Sequence, residues 1–253
     1  AGSSTLGPEF VTKSPADGYT ILIMSSSPLL TFPHLQTVPY DVLRDLTGVT
    51  QTTLLTYALL VHPSTNVRTL DELIAEARKA PGKLNYSSAG NGSGQHLYME
   101  LIKSGAGMDL THVPYKGAAP ALQALLTGDV QAMVEVTATA LPLVQAGKAR
   151  ALLVTGGKPF EPLPGAVPLD ARFPGLGIPT WHGIFAPGGT PAPVLAKLAA
   201  DIQEALRNPV IAERFRQLGL EPSGVSGDAF NQIIRSDYAR WGELIRKNKL
   251  RPD

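Results

Sequence analysis

Cysteine is absent from the chain, which removes disulfides, thiolate metal sites and cysteine nucleophiles together. The five histidines, His34, His62, His96, His112 and His182, show no ligand-type spacing, so no metal is expected. No apolar run approaches the roughly 20 residues that a bilayer-spanning helix requires. Neither sign of charge dominates: 22 basic against 21 acidic residues leave +1, so no broad field invites nucleic acid. Catalytic signatures are missing as well. Asn91 stands where a nucleophile elbow around Ser93 would need glycine. Gln95 stands where the third glycine of a dinucleotide fingerprint would be, and no Lys-Ser or Lys-Thr follows to make a P-loop. Carboxylates are scattered rather than paired. Together these gaps argue against an enzyme and against a cofactor.

What is present is a globular composition, 43% apolar and 17% charged over 253 residues, enough for two modest domains or one large one. Asn85 to Met99 stands out: a strand end, a run of small residues from Ser87 to Gly94, then a helix with Leu97, Leu101 and Ile102 on one face. Glycines let such a turn take left-handed angles and approach a guest closely. Amides at the following helix N-terminus favour an anion through hydrogen bonds and the helix dipole. A carboxylate, which needs only a few donors, fits this better than a nucleotide, although a merely tight connection has the same composition.

The rest of the chain alternates. Tyr19 to Met24 reads as a strand followed by Ser25-Ser26-Ser27-Pro28, hydroxyls placed where open α/β sheets bind ligands or where a turn simply caps a helix. Thr53 to Val61 reads as one strand, and Thr69 to Glu72 as a capping box opening a helix that ends before Pro81-Gly82. Strands are expected at 110–115, 130–136, 149–155 and 181–186, with helices near 94–104, 121–127, 138–146, 191–206, 208–218 and 228–248. Repeated βα units imply a parallel sheet with helices on both faces. Residues 156–179 are rich in Pro and Gly and read as a surface excursion.

Six segments resemble, in order, the Bug proteins, the solute-binding receptors of tripartite tricarboxylate transporters: Ala16 to Thr20, Val38 to Asp41, Gly82 to Tyr86, Ser88 to Gly94, Thr111 to Gly117 and Phe185 to Pro187. The resemblance implies an α/β protein of the type II periplasmic binding fold, with two Rossmann-like lobes joined by two crossing strands and closing on a small organic acid or amino acid. It implies a periplasmic location and, as partners, the membrane components of the transporter or a signalling partner; the alternative functions are a ligand-sensing domain of a signalling system and, more remotely, an α/β enzyme acting on a small organic acid. Residues 1–61 and 153–253 would form the first lobe and 62–152 the inserted one. Most of the family's first βα unit is missing, so Thr5 and Leu6 are expected to flank about 35 absent residues, by the usual size of such units, with Ala1–Thr5 as the loop after a first strand; a vector-derived Ala1–Phe10 is the rival reading.

The resemblance also implies the ligand contacts. In the inserted lobe they are Ser88, Gly90, Asn91, Gly92 and Ser93, and in the other Gly2, Ser3 and Ser4, joined by the hydroxyls of Ser25 and Ser27. Glu135 stands where many relatives carry an Asp-Asn pair. It would bind a ligand ammonium or hydroxyl, accept from loop amides, or pair with a nearby cation. Lys116, Trp181 and His182 have both a cleft-lining reading and a plain structural one, and His96 is placed to fix the loop.

Overall fold

The computed structural model describes residues 3–217, 220–248 and 250, and excludes the side chains of Ser3, Ser4, Arg216 and Gln217. The chain divides at Leu55/Thr56 and at Pro179/Thr180 into two compact units. The first unit opens with α1 (Ser3–Thr12), β1 (Leu22–Ser25), α2 (Ser26–Leu35), α3 (Val42–Asp45) and β2 (Leu46–Leu55). The second contains β3 (Tyr57–Val61), α4 (Leu70–Lys79), β4 (Asn85–Ser88), α5 (Gly94–Ala106), β5 (Thr111–Pro114), α6 (Ala118–Thr127), β6 (Ala132–Val136), α7 (Thr137–Gln145), β7 (Arg150–Val154), β8 (Val167–Pro168) and α8 (Leu169–Arg172). The first unit then resumes with β9 (Thr180–Pro187), α9 (Ala192–Arg207), α10 (Pro209–Gln217), β10 (Glu221–Pro222) and α11 (Gly227–Lys247). Among the described residues, no helix is long and apolar enough to cross a membrane.

Local rules set the helix ends. At α4 the Thr69 hydroxyl accepts from the Glu72 amide while the Glu72 carboxylate accepts from the Thr69 amide, the expected capping box. At α5 the Ser93 hydroxyl accepts from the His96 amide, and Gly107 closes the helix in the left-handed region at φ 57°.

Sheet order departs from the all-parallel expectation. The first unit's sheet, β1-β9-β2-β10, is antiparallel at every pair. The second unit's sheet, β5-β4-β6-β3-β7-β8, is mixed: β4 runs parallel to β5 and β6, and β7 to β8, but β3 runs antiparallel to β6 and β7. Helix-strand alternation cannot reveal that reversal, because a buried central strand reads as the same apolar run in either direction.

The predicted single strand over 53–61 is two strands broken at Thr56. That break moves the first boundary from Val61 to Leu55: all of β3 is buried between β6 and β7 and belongs to the second unit. The second boundary moves from Leu152 to Pro179, since β7 pairs with β8 and the Pro/Gly excursion folds back on this unit, where Arg172 meets Asp71. Helix α1 runs unbroken through Thr5 and Leu6, so the expected break there is corrected. The backbones of Ser3 and Ser4 lie in its first turn rather than in a loop after a strand.

The first unit's core is aromatic. Trp181, Phe185 and Phe230 are all buried, with Trp181 edge-on to Phe230 at 5.1 Å between centroids. The Trp181 indole donates to Asp237 Oδ2 at 2.8 Å, and burial holds the Asp237 carboxyl above its ordinary range. Trp241, on the same helix as Asp237, is buried too.

Candidate functional site

The glycine-rich bend between β4 and α5 lies at the C-terminal edge of the second unit's sheet. Gly90 and Gly92 take φ of 118° and 74°, angles that only glycine adopts without strain. Half-buried Asn91 sits between them. These angles turn the bend's polar groups inward. The Ser88 hydroxyl accepts from the Gly90 amide at 3.1 Å and meets His112 Nε2 at 2.7 Å. The Ala89 amide donates to Gln95 Oε1, the Gly92 amide to His96 Nδ1 and the Ser93 amide to the Gly90 carbonyl. Beneath the bend His96 stacks on His112 at 4.3 Å, and His112 on Tyr86 at 4.7 Å. The Tyr86 hydroxyl donates to Glu100, which also accepts from Lys103.

This network narrows the set of expected contacts in the bend. Ser88, Gly90 and Gly92 are committed to the bend's own structure. What is left lies one step further on, at the start of α5. Among the described residues the amides of Gly94 and Gln95 have no protein acceptor, and the Ser93 hydroxyl accepts from His96 while its own proton has none. Three donors at the positive end of a helix of 13 residues suit a carboxylate.

Glu135 braces this arrangement. It is the penultimate residue of β6, is only 4% exposed, and accepts from Gln95 Nε2 at 2.8 Å and from the Val136 amide at 2.7 Å. Gln95 therefore reaches from Glu135 to the Ala89 amide. Of the roles considered for Glu135, acceptance from the loop is the observed one, through a side chain rather than an amide. Among the described residues no cation pairs with it, and burial pushes its carboxyl up to about 7. Immediately after it α7 begins without a side-chain cap, and the buried Thr137 hydroxyl has no partner.

The remaining expected residues fall elsewhere. Ser25 ends β1 opposite His182, and Ser27 is buried in the first turn of α2, its hydroxyl unpartnered. The Ser26 hydroxyl between them accepts from the Trp181 amide. Gly2 and the side chains of Ser3 and Ser4 lie outside the described residues. Lys116 is exposed on its turn. Trp181 is core, and His182, held below its ordinary pKa by burial, meets the Thr53 hydroxyl at 3.0 Å. Gln95, His112 and Thr137 were missed as site residues. Only Gln95 left a signal, as the residue replacing a third glycine.

Comparison with known proteins places these features in a family. Residues 1–250 match the model described as "Tripartite tricarboxylate transporter family receptor". A protein of Pseudomonas sp. strain P51, encoded between tcbD and tcbE, is 35% identical over 254 positions, covering 99% of this chain and 75% of that protein. BugT of Bordetella pertussis is 32% identical over 96% of this chain and 75% of its own length. An alignment of 254 positions for 253 residues leaves no room for an insertion of dozens of residues at Thr5–Leu6. Among solved structures, an R. palustris protein with adipate superposes with a TM-score of 0.87 at 31% identity, over 98% of this chain and 84% of that one. MatC of Rhodopseudomonas palustris with bound malate gives 0.82 at 26%, over 96% and 85%. Together with the periplasmic binding protein BugD, at 0.87 and 29% over 98% and 84%, they share the two-lobed type II periplasmic binding fold.

Proposed function

The chain belongs to the receptors of the tripartite tricarboxylate transporter family, and from that premise we propose that it captures a small carboxylate at the N-terminus of α5. The observation that carries this reading is the contrast inside one bend. The amides of Ala89, Gly90, Gly92, Ser93 and His96 are bonded within the protein, while those of Gly94 and Gln95, next to the Ser93 hydroxyl, have no acceptor among the described residues. The bonded groups hold the donors in place before a ligand arrives, so little ordering cost remains to be met on binding. No covalent step is required. Adipate and malate in the two solved relatives support the carboxylate class. Delivery to membrane components of the transporter, in the periplasm, completes the proposal.

A thermal-shift screen of mono-, di- and tricarboxylates, aromatic acids and amino acids tests it. A true ligand at 100 times its Kd adds about 2.7 kcal/mol of stability and raises Tm measurably. An unshifted Tm across all these classes overturns the reading.

A further inference from the structure

The donors at α5 share their brace with a carboxylate that nothing neutralises. Glu135 is 4% exposed, and among the described residues its partners are the Gln95 side-chain amide and the Val136 backbone N–H. The charged side chains on the elements around it are bonded elsewhere. Its partner on β3 is Ala58, the only titratable group of that strand is Tyr57, and α6 and α7 carry no charged residue. On β4 Tyr86 is engaged with Glu100. On α5 His96 accepts from Gly92, Tyr98 donates to the Ile178 carbonyl, and Glu100 pairs with Lys103. On β5 His112 meets Ser88, and on β7 Arg150 donates to the Val67 carbonyl.

A ligand carboxylate at the Gly94 and Gln95 amides would therefore be separated from this buried carboxylate by the Gln95 side chain, with no lysine or arginine among the described residues paired with Glu135 to offset the repulsion. A like charge brought nearby disfavours ionisation and raises the proton affinity of Glu135. Because Gln95 carries both the ligand-facing amide and the hydrogen bond to Glu135, the two sites touch the same residue. We propose that Glu135 takes up a proton from solvent when α5 captures its ligand, so that anion and proton bind together. This rests on the carboxylate reading of the α5 terminus. The uptake is poised near neutrality, since burial already lifts Glu135 to about 7.

The test is calorimetry of adipate and of malate binding from pH 5.5 to 8.5, in buffers of different ionisation enthalpy, on the intact chain and on Glu135→Gln. The expected result is uptake of up to one proton near pH 7.5 and an affinity that falls by up to tenfold per pH unit above about pH 7. In Glu135→Gln, whose binding is expected to be weaker because the brace is altered, both effects vanish. Binding by the unaltered chain with flat affinity and no proton uptake overturns the proposal and leaves the receptor reading standing. Uptake that persists in Glu135→Gln overturns it as well. Failure of both acids to bind at any pH, together with an unshifted screen, removes the receptor reading and the coupling with it. If Glu135→Gln does not fold, flat affinity without proton uptake in the unaltered chain still overturns the proposal.

Discussion

Two strand-to-helix turns in this molecule are built from serines, and they behave in opposite ways. At the end of β1, Ser25 gives α2 no side-chain cap, Ser26 is taken by the Trp181 amide, and Ser27 is buried with an unpartnered hydroxyl. At the end of β4 the serines come with Gly90 and Gly92 in left-handed conformations. There Ser88 organises the bend and Ser93 caps α5. The difference lies in the glycines. Without positive φ the first turn passes straight from strand to helix and its hydroxyls end up in packing. With it, the second turn folds its own amides away and presents a short, chosen set of donors.

The largest break in that contrast is expected from Gly92→Val. A β-branched residue at φ 74° is strained by about 1–2 kcal/mol, and any shift of that backbone disturbs the bond to His96 Nδ1. Ligand affinity should fall by two orders of magnitude or more by calorimetry, with a lowered Tm. Affinity within threefold of the parent would detach the bend from the donors.

A second prediction concerns the brace, through stability alone. Glu135 ionises at about 7 when folded against an ordinary value of 4.5. A carboxyl raised on folding favours the folded state most below its unfolded value, and that advantage is lost as pH rises through 7. The loss is on the order of 3 kcal/mol. Urea denaturation at pH 5 and pH 8 should show the parent losing stability relative to Glu135→Gln across this window. Parallel pH profiles for the two would refute the shift.

The smallest effects come from one substitution made in each turn. Ser93→Ala removes a cap and should cost about 1 kcal/mol of stability and roughly fivefold in affinity, the lost hydroxyl donor being worth about 1 kcal/mol. Ser27→Ala removes a buried hydroxyl that bonds nothing, so it should be neutral or stabilising by up to about 1 kcal/mol. Equal destabilisation at both positions would erase the distinction between the turns.

Much of this was legible beforehand where one local rule sufficed. The Thr69/Glu72 box placed α4, and the small-residue run before Leu97 placed the start of α5 to the residue. Thr56 was missed because a β-branched residue in an apolar run carries no mark of a break. Both unit boundaries depend on which strands pair, and pairing between residues as distant as Ala58 and Glu135 has no local signature. The site was half-readable for the same reason. Glycine and serine announced the bend, but whether its amides faced outward depended on Gln95, His96 and His112, whose bonds to it form only in the fold.

Both tryptophans of the chain, Trp181 and Trp241, lie in the first unit, whereas the proposed donors and Glu135 lie in the second. Excitation at the red edge of the near-ultraviolet band would thus report on one half of the molecule and leave the other dark. Emission followed beside circular dichroism would then ask whether the halves melt as one, because a single cooperative transition must give the same curve by both probes.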